Sequence, residues 1–159
     1  MTQRLKTIIG VIGASRPTAA GTAQAEQVGR LLAAHGIVLV CGGLGGVMAA
    51  AARGCAGNGG EVLGILPGPD PGQANPHVTL AVPTNMGHAR NVIIAHTAQV
   101  LIAVEGEYGT ISEMAVALKL GKPVIALPGA PQLPGLRPAA TPEDAVRQAL
   151  ASLSADTSP

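Results

Sequence analysis

Phenylalanine and tryptophan are absent, and Tyr108 is the only tyrosine. The interior must therefore be built from Val, Ile, Leu, Ala and Met, with no ring to fill a wide gap. Charge is scarce too: charged residues make up 12% of the chain against 47% apolar, about half the usual charged share. With a net charge of +1 and no basic cluster, the sequence lacks the one-sided Lys and Arg that phosphate-backbone binding requires, which argues against nucleic acid as a partner. No apolar run reaches the roughly 18 residues needed to span a bilayer. The short run at 7–12 is also too brief for the core of a signal peptide, so a cytoplasmic protein is expected, away from membranes. The two cysteines, Cys41 and Cys55, match no metal or redox spacing and read as buried small hydrophobes. The four histidines lack ligand spacing as well, and no metal site is expected. A chain this poor in charge must hide apolar surface, and an oligomer interface is the simplest place.

What is present is glycine, 22 residues of it, concentrated where apolar runs end. Continuous Val, Ile, Leu and Ala runs predict strands at 7–13, 37–41, 61–66, 78–82, 99–104 and 123–127. Longer helical patterns predict helices at 22–35, 46–56, 86–96, 112–120 and 142–153. Runs without polar alternation suit a parallel sheet covered on both faces. The alternating order predicts an α/β protein: a doubly wound, Rossmann-like parallel sheet with helices on both faces. At 159 residues it forms one domain, residues 1–153, followed by a tail at 154–159 expected to be disordered. The Pro/Gly-rich stretches 67–76 and 128–138 read as loops. His35 followed by Gly36 reads as a helix end, and Thr141-Pro142-Glu143-Asp144 as a helix start.

Two glycine loops each lead from a strand into a helix: Gly42-Gly43-Leu44-Gly45-Gly46-Val47-Met48 and Gly106-Glu107-Tyr108-Gly109-Thr110-Ile111-Ser112-Glu113. Such loops let backbone approach a ligand, and the following helix points unpaired N–H groups at an anion. Ligands on these sheets sit at the carboxyl ends of strands, near the reversal of strand order. There Gly13, Ala14 and Ser15 should meet Gly42, Gly43, Gly45, Gly46 and Met48 of the first loop and Gly106, Tyr108, Gly109 and Thr110 of the second. Tyr108 could stack on a flat ligand ring, or simply be where a single tyrosine falls. Thr110 to Glu113 fits a capping box, which would make Glu113 structural; the alternative is a carboxylate held at a ligand. Arg90 could grip a phosphate with two N–H groups or be a solvated helix charge.

Four segments together carry a family resemblance: Gly42-Gly43-x-Gly-Gly-Val-Met48, Gly64-Ile65-Leu66-Pro67-Gly68-Pro69-Asp70, Ala89-Arg90-Asn91 and Gly109-Thr110-x-x-Glu113. From about residue 8 to 127 the chain resembles the Rossmann-like superfamily of the LONELY GUY (LOG) cytokinin-activating enzymes and the molybdenum cofactor carrier proteins. For a LOG-type enzyme the resemblance implies hydrolysis of a nucleotide's N-glycosidic bond. Glu113 would activate water or steady the developing oxocarbenium ion, and Arg90 would act as an electrostatic clamp. The sequence departs from the enzymes' P-G-G-x-G-T-x-x-E loop: Glu105 replaces the proline and Glu107 the second glycine. A full charge about 6 Å from a phosphate costs roughly 3 kcal/mol at an effective dielectric of 20. Either these side chains point away, or a cation joins the site, or phosphate binds elsewhere.

The Leu-Pro-Gly-Pro-Asp segment and the short length are more similar to the carrier branch. The expected function is therefore a binding or carrier protein for a phosphorylated heterocycle, nucleotide or molybdenum cofactor, with the phosphoribohydrolase as the alternative. The expected assembly is a dimer or tetramer of identical chains, joined through the helix bearing Met114, Ala115 and Leu118.

Overall fold

The computed structural model describes residues 2–155. Seven strands form one parallel sheet: β1 (Ile8–Gly13), β2 (Val38–Cys41), β3 (Val62–Leu66), β4 (Leu80–Pro83), β5 (Val100–Val104), β6 (Val124–Ala126) and β7 (Arg137–Pro138). Their order is β4-β3-β2-β1-β5-β6-β7, so the chain reverses its direction of travel between β1 and β5. Helices α1 (Ala19–Ala34), α2 (Val47–Ala56) and α5 (Pro142–Ala155) cover one face, while α3 (Arg90–Thr97) and α4 (Tyr108–Lys119) cover the other.

Period-two alternation divides the apolar strands between the two layers. Val100, Ile102 and Val104 of β5 join Ile9 and Val11 of β1 beneath α1, α2 and α5. Leu101 and Ala103 join Ile12 and Val40 beneath α3 and α4. A core without large rings stays shallow, and small residues bring the elements together. Gly29 of α1 lies so close to α2 that an added Cβ would stand 2.0 Å from the Ala51 carbonyl oxygen, and Gly54 of α2 stands in the same relation to Glu26.

Helix ends follow local chemistry. His35 closes α1, and Gly36 turns left-handed at φ +67°. Thr141 Oγ1 accepts from Asp144 N–H at 3.1 Å to start α5. The end of α3 is capped from a distance: Lys122 Nζ donates to the carbonyls of Ala95 (2.8 Å), His96 (2.6 Å) and Ala98 (2.7 Å), groups a helix leaves without partners.

Several expected boundaries move. Helix α1 starts at Ala19 rather than 22, because Thr18 caps it by accepting from Gly21 N–H. The expected helix 86–96 splits into a single 3-10 turn, Gly87–Ala89, and α3. The expected strand 78–82 shifts to Leu80–Pro83, and the expected loop 128–138 ends in a short edge strand that tolerates its proline. Ser154 and Ala155, expected in the tail, continue α5, whereas residues 156–159 lie outside the described part. Met114 is fully buried against the sheet, so it is not available to the expected interface, and Leu118 packs at the core's edge. The exposed large apolar side chains include Leu80 and Val82 of β4, Met86 just before the 3-10 turn, and Val92 of α3. No helix among the described residues is long and apolar enough to cross a membrane.

Candidate functional site

A cleft of about 510 Å³ opens at the carboxyl ends of the strands, over the reversal between β1 and β5. Gly13, Ala14 and Ser15 line it from the loop after β1, Gly42 and Met48 from the first glycine loop, and Tyr108, Gly109 and Thr110 from the second, with Arg90 and Glu113 in its wall. Asn91, Arg16, His88 and Glu107 also line it. They stand beside residues the sequence singles out, and in Ala89-Arg90-Asn91 adjacency is the signal.

Helix α4 begins four residues earlier than its pattern suggests, at Tyr108, with Ile111 N–H donating to the Glu107 carbonyl at 2.9 Å. That early start changes the role of Glu113. Thr110 and Glu113 both lie inside the helix, so the capping box does not form, and Glu113 is turned into the cleft wall. The N–H groups of Tyr108, Gly109 and Thr110 precede the first helical hydrogen bond and carry the positive end of the helix dipole.

The first glycine loop is different. Val47 N–H is already spent on the Ala14 carbonyl at 2.9 Å. Gly46, at φ +70°, is wedged so that a Cβ would stand 2.4 Å from the Ala14 carbonyl oxygen and 2.5 Å from that of Ser15. Gly43 packs beneath Leu66 and Gly64, Gly45 faces solvent with nothing within 4 Å of an added Cβ, and Gly106 is folded onto the Thr110 side chain. None of Gly43, Gly45, Gly46 and Gly106 lines the cleft. The loop after β3 supports the first glycine loop instead: Asn75 N–H donates to the Gly43 carbonyl at 2.8 Å and Asn75 Nδ2 to that of Leu44 at 2.9 Å.

Four polar residues are buried here in an otherwise apolar interior: Arg90, Asn91, Thr110 and Glu113. Arg90 Nη2 donates to the Gly42 carbonyl at 3.4 Å and Nη1 to Asn91 Oδ1. A side chain on residue 42 would meet Met48 Sδ at 2.6 Å and Arg90 Nη2 at 2.7 Å, so glycine there leaves room for the guanidinium. Asn91 Nδ2 reaches Ser112 Oγ at 3.4 Å, and Ser112 Oγ donates to the Gly109 carbonyl at 2.6 Å, tying α3 to the first turn of α4. Arg90 Nε is buried with no partner, a donor whose cost is relieved only when an acceptor arrives.

Burial pushes the Glu113 carboxyl up to about 8, and the nearby Arg90 charge only partly opposes this. Burial likewise lowers Arg90, with Glu113 opposing. The four ion pairs among the described residues do not include these two. Beneath them Cys41 is pushed up to about 11, chiefly by burial, and is an inert thiol. Tyr108 is 87% exposed at the rim and so plays no part in the core. Among the described residues no group of three or more His, Cys, Asp or Glu could hold a metal ion.

The two carboxylates of the second loop part company. Glu105 turns toward the start of α1, where Thr18 N–H donates to it at 3.0 Å. Glu107 stays exposed at the cleft mouth.

This fold and this cleft define a small Rossmann-like protein in which the start of α4 shares one cleft with buried Arg90 and Glu113. The chain belongs to the SLOG cluster4 family, whose model matches residues 6–155, within the LOG and molybdenum cofactor carrier superfamily. It is 47% identical to an uncharacterised protein of Archaeoglobus fulgidus over 144 residues, 91% of this chain and 95% of that one. Its structure resembles the molybdenum cofactor binding protein of the phototrophic bacterium Rippkaea orientalis, with a TM-score of 0.89, 34% identity and coverage of 95% and 99%. The molybdenum cofactor carrier protein of Chlamydomonas reinhardtii is similar at a TM-score of 0.84, 32% identity and coverage of 94% and 99%.

Proposed function

We propose that this chain is a binding and carrier protein for a phosphorylated heterocycle, a nucleotide or a molybdopterin-like cofactor. The observation that carries the reading is the unpartnered Nε of buried Arg90, which waits for an acceptor in the same cleft as the open start of α4. Phosphate would lie against the N–H groups of Tyr108, Gly109 and Thr110, with Arg90 supplying the charge. The ring would lie between Met48 and the rim, where Tyr108 is free to cover it. The donor set suits the organic part of the molybdenum cofactor, its phosphate and flat ring, and the similarity to two proteins described as binding or carrying that cofactor supports this ligand class. Mass spectrometry of small molecules released from the native protein tests the reading: a phosphorylated pterin or nucleotide supports it, and a ligand without phosphate contradicts it.

The Glu113 carboxyl favours a second reading. A buried acid held near neutral pH beside an arginine is suited to general acid–base work. LOG-type hydrolysis would release free base and ribose 5-phosphate from a nucleoside monophosphate, and Glu113→Gln would lower turnover about a hundredfold. Robust turnover that depends on Glu113 would replace the carrier reading with the enzyme.

The carrier is further read as a cytoplasmic homo-oligomer, dimer or tetramer. Two buried free cysteines suit a reducing compartment. Leu80, Val82, Met86 and Val92 supply exposed apolar surface. Light scattering at micromolar concentration should give a multiple of 15.7 kDa, and a clean monomer would refute the assembly.

A further inference from the structure

We infer that Asn91 is a positioning residue of the cleft: its neutral amide fixes the Arg90 guanidinium and ties it to the first turn of α4, which leaves the arginine's charge free for an anionic ligand. The inference rests on the reading above for the phosphate, whereas the hold on Arg90 stands on hydrogen bonds within the chain.

An arginine side chain has much rotamer freedom, and a binding site gains when that freedom is given up before the ligand arrives. A carboxylate would hold the guanidinium most strongly, but it would also cancel the charge that an anion needs. No ion pair among the described residues involves Arg90. The nearby Glu113 carboxyl, raised by burial to about 8, is largely protonated at pH 7 and takes little of that charge. Two neutral acceptors hold the guanidinium instead: Nη1 donates to Asn91 Oδ1, and Nη2 donates to the Gly42 carbonyl at 3.4 Å.

Asn91 is itself buried, with 7% exposure, and lines the cleft beside Arg90. Its amide has an acceptor side and a donor side, and both are used. Nδ2 donates to Ser112 Oγ at 3.4 Å, and Ser112 Oγ spends its only proton on the Gly109 carbonyl at 2.6 Å. The chain of donors therefore runs one way, from Arg90 through Asn91 and Ser112 to Gly109. Turning the amide over would set N–H against N–H at Arg90. A leucine could fill the space without holding the guanidinium, and an aspartate would hold it while neutralising it. Gly109 belongs to the first turn of α4, so the same chain places the guanidinium relative to the N–H groups of that turn.

The test is thermal-shift titration of the full chain with inorganic phosphate at pH 7, joined to nitrogen NMR of the Arg90 guanidinium in isotope-labelled protein. Asn91→Leu, of similar size, removes both hydrogen bonds; Asn91→Asp keeps the acceptor and adds a charge. In the wild type the two Nη groups of Arg90 should give separate signals. Asn91→Leu should merge them through free rotation and weaken phosphate about tenfold, as the arginine must then be ordered by the ligand. Asn91→Asp should keep the signals separate yet weaken phosphate about a hundredfold. In an Arg90→Gln background, Asn91→Leu should change phosphate affinity by less than about twofold, because it acts through the arginine. Separate signals in Asn91→Leu, an unchanged phosphate affinity there, or an equal loss with and without Arg90 overturns the inference. Ser112→Ala, at an exposed position, cuts the same chain without touching the core and should weaken phosphate about threefold. If Asn91→Leu does not fold, an unchanged affinity in Ser112→Ala overturns the inference. If phosphate fails to stabilise the wild type, or Arg90→Gln binds it equally well, the phosphate reading falls. The hold on Arg90 is then decided by the Nη signals alone.

Discussion

The two glycine loops look alike in the sequence, and the structure packs them differently. In the first, the leading N–H of the helix is taken up by the protein itself: Val47 N–H meets the Ala14 carbonyl, and Gly46 lets the two loops touch. In the second, the first three N–H groups of α4 open on the cleft, and Arg90 and Glu113 stand in the same wall. A glycine-rich strand-to-helix turn is thus a geometric permission. What occupies its N–H groups decides whether it binds a ligand or fastens the fold. Substitutions at the packed Gly46 of the first loop should therefore cost stability, and those at Gly109 of the second should cost binding.

The largest effect expected is on the pH dependence of folding, through Glu113 of the second loop's helix. Its folded carboxyl is raised from 4.5 to about 8. The folded state thus holds a proton that the unfolded chain gives up. Stability from this group is fully present below pH 4.5, is lost as pH rises toward about 8, and stays level beyond that. That loss is about 5 kcal/mol. Glu113→Gln should flatten the slope, measured by chemical denaturation between pH 4.5 and 9. An unchanged slope would mean that Glu113 does not carry the proton.

Next comes Gly109→Val. An added Cβ meets only Asn91 Nδ2 at 3.7 Å, an ordinary contact, so the variant should fold. Its methyl groups would stand where a phosphate must approach the α4 N–H groups. We expect affinity for inorganic phosphate to fall about a hundredfold, equivalent to roughly 2.7 kcal/mol, with the midpoint of denaturation nearly unchanged. Gly46→Ala should do the reverse. Its left-handed backbone and two facing carbonyls leave no room for a methyl group, and the cost should be about 2 kcal/mol of stability. Phosphate affinity, measured where the protein is folded, should stay within about twofold. If Gly46→Ala weakens phosphate as strongly as Gly109→Val does, the division between the loops fails.

The sheet was legible because its central strands are unbroken apolar runs, which β1, β2, β3 and β5 keep to within a residue or two. The family, too, was carried by short motifs that survive as units. The start of α4 was not legible, because Thr110 to Glu113 spells a capping box and nothing local reveals that Glu107 already serves as the cap. Misplacing that start hid the meaning of Glu113, whose burial depends on α4 packing beside α3. Arg90 was named on its motif, but its missing partner at Nε depends on Gly42 and Asn91 closing around the other two nitrogens. Nor could the fate of Glu105 be read locally: its partner Thr18 is 87 residues away. Local periodicity reports elements, whereas donors left over or used up are tertiary facts.

The smallest effect expected is also the sharpest control. Gly45 sits in the middle of the first loop, at the position a glycine-rich phosphate cradle would use. It faces solvent, an added Cβ finds nothing within 4 Å, and its φ lies outside the left-handed region. Gly45→Ala therefore removes no contact and creates no clash. The unfolded chain loses a little freedom, so stability should rise by no more than about 0.5 kcal/mol. Phosphate affinity should be unchanged in a thermal-shift titration. A fall in affinity at this position would show that the first loop reaches the ligand after all, and that the Val47–Ala14 hydrogen bond opens to let it.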